Sequence, residues 1–185
     1  ILSGGRLRLG VGTGWNQVEY EALGQDFSNR GERSEEQIKL MRMLWQHELV
    51  TFEGKFHKIS DAGLNPRPPA RSIPIWFGGS AEAVLKRIAR TGDGWIPTGK
   101  PDSIRKKLLD NLAMYLEKQG RKIDDIGIES WVSYSEFASG EMLANVEKWK
   151  AMGATHISVN TMSCGMKFPD EHIKAVATFK EITSN

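Results

Sequence analysis

The sequence of 185 residues predicts an α/β fold in which strands and helices alternate along the chain. Short runs that are apolar or alternate in polarity, and that end at glycine, are typical of strands. The segments between them carry apolar residues at three- and four-residue spacing, which indicates amphipathic helices. Such alternation favours parallel pairing with right-handed crossovers, and the length favours one domain with a sizeable core.

The first predicted strand covers residues 6–12, where polar and apolar residues alternate before a run of glycines. A short helix is expected at 16–24 and a longer one at 32–47, because the apolar residues of the second segment recur at helical spacing. Two strand-like runs around Glu53-Gly54 predict a small inserted β-hairpin.

Four more strands are predicted after the hairpin, and each is followed by a helix. The first of them is almost wholly apolar, as expected of a strand buried on both faces. A cap at Asp102 or Ser103 opens the longest of these helices. The strands are predicted at residues 73–77, 94–97, 126–132 and 155–160, and the inner stripe of the longest helix at Ile104, Leu108, Leu112 and Tyr115.

Five strand–helix pairs fit either an open, doubly wound sheet or part of an eight-stranded β/α barrel. Strands of three or four residues favour the barrel, as does the helix-like tail at residues 1–5 before the first strand. In both architectures ligands gather at the carboxyl ends of the strands. We therefore expect the turns that follow the strands to face one side of the molecule.

Composition narrows the class of protein. The net charge of +2, with basic residues interleaved among acidic ones, argues against a nucleic-acid partner. A single cysteine, Cys164, excludes a disulfide framework and makes a reducing cytoplasm the default expectation. No apolar run reaches the roughly 18 residues of a membrane span. The four histidines are not spaced for a metal, so no metal is expected.

Two glycine turns at strand ends are the candidate binding elements. In Gly10-Val11-Gly12-Thr13-Gly14, alternate glycines lack a Cβ and let the backbone approach a flat or anionic ligand. Gly78-Gly79-Ser80 offers backbone N–H groups and a hydroxyl where a helix begins, which suits a phosphate or a polar ring edge. The alternatives are close strand–helix packing for the first turn and an ordinary serine cap for the second. The spacing identifies no catalytic base or nucleophile.

The ordered set of motifs resembles the luciferase-like monooxygenase family. The resemblance extends from the first residue to about residue 100, and the motifs follow the family's order and approximate spacing. The matching segments are residues 3–15, 19–24, 30–36, 44–45, 66–68, 74–80 and 92–95.

Members of that family are eight-stranded β/α barrels that bind reduced FMN or the deazaflavin coenzyme F420. The resemblance implies that the first strand here is the fourth barrel strand. Residues 1–185 would then be the C-terminal part of a single barrel domain, with about strands 4–8 present and the N-terminal strands absent. Catalytic residues could lie in those absent strands.

The resemblance also assigns candidate cofactor-binding residues. Gly12, Thr13, Gly14 and Asn16 would lie along the cofactor ring and its ribityl chain. The opposite wall of the pocket would be formed by Phe77, Gly78, Gly79 and Ser80. The first turn, with the tryptophan that follows it, resembles the turn of the F420-dependent subgroup more than that of the luciferases proper.

Three functions follow as hypotheses. The first is an oxidoreductase that transfers a hydride between F420 and a small organic substrate. The second is an FMNH2-dependent monooxygenase that uses oxygen. The third is a non-catalytic, truncated barrel that acts by assembly, because a partial barrel leaves two unpaired strand edges. A homodimer is a further expectation, and neither nucleic acid nor membrane is expected as a partner.

Overall fold

The computed structural model describes residues 1–183, which form seven strands, six α-helices and two short 3-10 turns. The strands are β1 (Leu9–Val11), β2 (Val50–Glu53), β3 (Lys58–Ala62), β4 (Ile75–Gly78), β5 (Gly94–Ile96), β6 (Gly127–Ser133) and β7 (His156–Asn160). The helices are α1 (Gln17–Ala22), α2 (Arg30–Gln46), α3 (Glu82–Thr91), α4 (Ser103–Glu117), α5 (Glu141–Ala151) and α6 (Asp170–Thr183). The 3-10 turns are Ile123–Asp125 and Tyr134–Glu136.

The chain divides into two compact units, which are described separately. The first unit holds residues Ile1–Phe77 with Thr91–Asp93. The second holds Gly78–Arg90 and the chain from Gly94 onwards. Within residues 1–183, no helix combines the length and the apolar composition that crossing a membrane requires. The predicted alternation of strand and helix is confirmed, and so is the inserted hairpin.

In the first unit, β1 pairs in parallel with β4, from Leu9 opposite Ile75 to Val11 opposite Phe77. The prediction that the first strand spans residues 6–12 was too long. Pairing starts where the backbone N–H of Leu9 donates to the carbonyl of Pro74, at 2.8 Å. The segment before β4 is rich in proline, which has no N–H to offer a neighbouring strand, so the pair cannot extend further back.

Asp93 joins α2 to the start of β4 within the first unit. One of its carboxylate oxygens accepts hydrogen bonds from the Arg42 guanidinium, at 2.7 Å, and from the backbone N–H of Ile75, at 2.8 Å. The Asp93 N–H donates in turn to the Ile75 carbonyl, at 2.8 Å. These bonds fix where β4 begins relative to α2.

The hairpin formed by β2 and β3 is attached to α2 through Glu36. The Glu36 carboxylate accepts from the backbone N–H groups of Lys55, Phe56 and His57 and contacts His57 Nδ1, all at 2.7–2.9 Å. Burial alone would raise the pKa of the Glu36 carboxyl. The hydrogen bonds from His57 and the turn outweigh that effect and hold this pKa below its ordinary value.

In the second unit, β5, β6 and β7 pair in parallel, with Trp95 opposite Ile128 and Ser133 opposite Asn160. Side chains alternate along β6, so Val132 packs into an apolar cluster with residues of α5 and α6, while Trp131 stays partly exposed. The buried members of that cluster are Val132, Met142, Val146, Trp149 and Phe179.

The predicted inner stripe of α4 was wrong at Ile104 and right at Leu112, while Leu108 and Tyr115 are partly buried. Of its residues, Leu112 is buried, whereas Ile104 is 61% exposed. The buried stripe is formed by Leu109, Leu112 and Leu116. Both sets follow three- and four-residue spacing, and the helix carries adjacent leucines at 108 and 109. Periodicity therefore did not determine which leucine faces the core.

Candidate cofactor site

Two strand ends lie side by side in the first unit, and each leads directly into a glycine turn. Val11, the last residue of β1, is paired with Phe77 near the end of β4. Because the pairing is parallel, β1 and β4 have their carboxyl ends on the same side of the sheet, which is where α/β proteins bind ligands. The first turn begins at Gly12, and β4 continues into Gly78.

The two glycines Gly12 and Gly14 of the first turn differ in their surroundings. A Cβ built on Gly12 would have no atom of the described residues within 4 Å. Gly14 instead has a φ of 73°, and a Cβ there would lie 3.5 Å from the Tyr20 ring. The packing alternative therefore accounts for Gly14 and leaves Gly12 open toward a ligand.

Thr13 and Asn16 are both engaged by the helix that follows the turn. The Tyr20 hydroxyl donates to the Thr13 carbonyl. The Asn16 side chain caps α1 by accepting from the Val18 N–H at 3.2 Å, and its amide donates to Glu19 at 2.9 Å. Asn16 would therefore have to contact a cofactor, as predicted, while its side chain also caps α1.

A cleft of about 750 Å³ opens beside the first turn, and its walls come from the turn, α1, α2 and the hairpin. Two arginines of α2 line it. The Arg30 guanidinium stacks on Phe27, 3.6 Å from the ring centroid, and donates to the Phe27 carbonyl at 2.8 Å. Arg33 donates to Gln25. Within the described part of the chain, Arg30 Nε is buried and has no hydrogen-bond partner.

These arginines were missed as candidate site residues in the sequence. The available signal was their spacing, since residues three apart lie on one face of a helix. The lining also holds the Glu19 carboxylate, so the two guanidinium groups leave the cleft with an excess of positive charge beside Gly12, which carries no side chain. Such a cleft suits a flat ligand that also carries a negative group.

The second turn, Gly78-Gly79-Ser80, is held from within the second unit by Trp95. The Trp95 indole is fully buried, and its Nε1 donates to the Gly79 carbonyl at 2.8 Å. Gly78 is as open as Gly12, because a Cβ there would meet no described atom within 4 Å. Gly79 has a φ of 116°, which only glycine adopts readily.

The remaining predicted residues of this turn differ in exposure. Ser80 is partly exposed. The Phe77 side chain is only 1% exposed, so it supports the strand end as a core residue. Trp95 was not predicted as part of a site, although the pattern Gly92-Asp93-Gly94-Trp95 marked it. In residues 1–183, no group of three histidine, cysteine or acidic side chains is placed to hold a metal ion.

Parallel strands that alternate with helices define a protein of the α/β class. Residues 1–136 match the family described as luciferase-like monooxygenase. This chain belongs to that family, which confirms the resemblance predicted from its motifs.

A curated relative supports the same assignment. The F420-dependent glucose-6-phosphate dehydrogenase of Intrasporangium calvum is 37% identical over 163 residues, which cover 83% of this chain and 48% of the relative. The chain therefore spans about half the length of this relative.

Solved structures show a similar fold. A monooxygenase, RslO1 from Streptomyces bottropensis, superposes with a TM-score of 0.76 at 20% identity, over 97% of this chain and 68% of its own. The coenzyme F420-dependent tetrahydromethanopterin reductase of Methanopyrus kandleri gives a TM-score of 0.74 at 14% identity, over 95% and 72%. At such identities the likeness concerns the fold.

Proposed function

We propose that this chain is part of an oxidoreductase that transfers a hydride between coenzyme F420 and an organic substrate. The observation that carries the proposal is the parallel pairing of Val11 with Phe77, because each of these residues is followed by a glycine whose Cβ position is open. The name of the curated relative, an F420-dependent dehydrogenase, supports F420 as the cofactor.

The residues of both turns fit a deazaflavin. Gly12 and Gly78 leave room for a flat ring to approach the backbone, because no side chain projects from either position. Thr13 and Ser80 would contribute polar groups to the ring and its ribityl chain. Arg30 and Arg33 would receive the acidic tail of the cofactor.

The cofactor, when bound, supplies the hydride chemistry. The protein contributes binding and orientation. The Trp95 indole N–H donates to the Gly79 carbonyl and the Tyr20 hydroxyl donates to the Thr13 carbonyl, so each turn is held by a side chain of the protein itself. Preorganised turns of this kind reduce the conformational cost of binding.

The chain would form the C-terminal part of a single β/α barrel and supply about strands 4–8. The five parallel strands of the described residues, β1 and β4–β7, support this assignment. The length of the relative, about twice the matched segment, supports it as well. In that arrangement the N-terminal strands would complete the pocket and could supply the catalytic residues.

An FMNH2-dependent monooxygenase is the second candidate. It is supported by the family description and by the similarity to the fold of the monooxygenase RslO1. The two candidates differ in the cofactor that the same turns would hold, so a binding measurement separates them.

The test is a pair of fluorescence titrations of the full-length protein, one with oxidised F420 and one with FMN. We expect saturable binding of F420 in the micromolar range and much weaker binding of FMN. Saturable binding of FMN alone would favour the monooxygenase. If neither cofactor binds, both candidates are wrong.

A further inference from the structure

A second cleft lies entirely in the second unit, at the carboxyl ends of β6 and β7 and beside the loop that follows β5. We call it the Lys100 cleft. Its volume is about 380 Å³, and its lining includes Lys100, Trp131, Ser133, Glu136 and Asn160. Carboxyl ends of parallel strands are where barrel enzymes hold their substrates.

The cation of this cleft is paired with two carboxylates. Lys100 Nζ lies 2.9 Å from Glu136 Oε1 and 2.6 Å from Glu141 Oε1. The other Glu136 oxygen accepts from the amide of Asn145 at 3.1 Å, and Asn145 is buried. Two negative charges therefore surround one positive charge, and the cluster carries a net charge of −1.

Lys100 stays charged and paired at neutral pH. The hydrogen bonds to Glu141 and to Glu136 raise the pKa of its ammonium above the ordinary value. An ammonium that is already shared by two carboxylates has little attraction left for a third anion. A phosphate that approached it would also meet the excess negative charge of the cluster.

The loop that carries Lys100 is held in place by Arg105. The Arg105 guanidinium donates to the Thr98 carbonyl at 2.8 Å and pairs with Asp102 at 3.0 Å. Gly99 has a φ of 99°, and a Cβ there would collide with the same guanidinium. The loop conformation therefore depends on these contacts, and the lysine is presented to the two carboxylates from a fixed backbone.

The rest of the lining suits an uncharged molecule. Trp131 is 39% exposed, although its neighbours in β6 are buried, so one face of the indole is free to pack against an apolar surface. Ser133 and Asn160 lie opposite each other across β6 and β7 and make this part of the lining polar but neutral. The Ser133 hydroxyl is hydrogen-bonded to that of Ser135 at 2.7 Å, and Asn160 Oδ1 accepts from the Met162 N–H at 2.8 Å. This combination suits a hydroxyl or carbonyl group attached to an apolar body.

We propose that the Lys100 cleft takes an uncharged alcohol or carbonyl compound as substrate and disfavours phosphate esters. This inference rests on the function proposed above, because a hydride transfer needs a substrate that is an alcohol, a carbonyl compound or a similar organic molecule. The pairing of Lys100 with Glu136 and Glu141 is the feature that sets the preference.

The test compares cyclohexanol with cyclohexyl phosphate as ligands of the full-length protein, by ligand-observed NMR. The wild type is expected to bind the alcohol and not the phosphate ester. Releasing the lysine in a Glu136→Gln, Glu141→Gln double variant should strengthen binding of the ester about tenfold or more. Adding Lys100→Met to that variant should abolish the gain.

Matched variants keep the result interpretable. Glu147→Gln removes a carboxylate of the same helix, α5, that pairs with Lys150 at 2.9 Å and not with Lys100, so it should leave both ligands unaffected. Glu141→Gln alone should show a smaller gain if the double variant unfolds.

Three results would overturn the proposal: tighter binding of the ester than of the alcohol by the wild type, no gain in the freed-lysine variants, or no binding of the alcohol. An F420 titration of the same preparations separates this outcome from failure of the proposed function. If F420 does not bind, the proposed cofactor is wrong, and the preference of the Lys100 cleft for the alcohol is judged separately from the NMR result.

Discussion

Val11 lies directly opposite Phe77 in a parallel pair of strands, and both strands pass within one residue into glycine. Each of the two glycine motifs therefore begins directly after one member of a paired set of strands. Each motif by itself had a structural alternative, namely packing or capping. Among residues 1–183, no atom would contact a Cβ at Gly12 or Gly78, so packing within this part of the chain does not require glycine there.

The first prediction concerns Gly12→Val. Gly12 is exposed, has no positive φ, and would place a Cβ in open space, so the variant should keep the unfolding temperature of the wild type. Its branched side chain would stand where the cofactor ring approaches, and F420 affinity should fall about tenfold or more. Thermal unfolding and a fluorescence titration measure the two effects.

Gly79→Val is the matched contrast. Its φ of 116° is unfavourable for a branched residue, and the new Cβ would lie 3.6 Å from Val84. Stability and binding should therefore fall together, with a cost of about 1–3 kcal/mol in unfolding free energy. If Gly12→Val also lowers both the stability and the F420 affinity, the packing explanation of the first turn is correct.

The second prediction concerns Trp95→Phe, which removes the indole N–H and keeps an aromatic ring. The Gly79 carbonyl loses its donor, so we expect a loss of about 1–2 kcal/mol in unfolding free energy. Because the turn would no longer be held, F420 affinity should fall severalfold as well. Denaturant unfolding and the titration provide the measurements. Unchanged affinity would show that the bond serves stability alone.

The third prediction concerns Asp93→Ala. The substitution removes the acceptor shared by Arg42 and the Ile75 N–H, and we expect a loss of about 1–3 kcal/mol in urea unfolding. Asp110→Ala is the control, because its ion pair with Lys106 lies on the exposed surface of α4. That change should stay within about 0.5 kcal/mol. Equal effects of the two variants would contradict the joining role of Asp93.

The fourth prediction concerns pH. Since the folded pKa of Glu36 is held below its ordinary value, its ionised form stabilises the protein at a pH above that ordinary value. The contribution is lost as the pH falls through the folded pKa. Glu36→Gln should therefore be less stable than the wild type near neutral pH, and the difference should shrink in acid. Denaturant unfolding at several pH values measures it. A constant difference would contradict a role for the charge.

The sequence predicted the order of strands and helices well, because patterns of polarity and glycine punctuation are local. It also placed Gly12 and Gly78 at strand ends. It did not predict which strands would be neighbours, so the pairing of Val11 with Phe77 required the structure. Strand order depends on packing across the whole sheet, which local patterns do not encode.

The residues that were not predicted from the sequence share one property, which is that they act on distant parts of the chain. Trp95 acts on Gly79 across 16 positions of the chain, and Glu36 acts on the hairpin across about 20. Such contacts leave no periodic signal in a single sequence. The stripe of α4 was only partly predicted for a related reason, because two adjacent leucines satisfy the same spacing and only the neighbouring elements select between them.

The most direct test of the central claim is a crystal structure of the full-length protein with F420. We predict that the deazaflavin ring lies against the backbone of Gly12 and Gly78, at the edge that Val11 and Phe77 define. A cofactor bound away from both turns would contradict the claim.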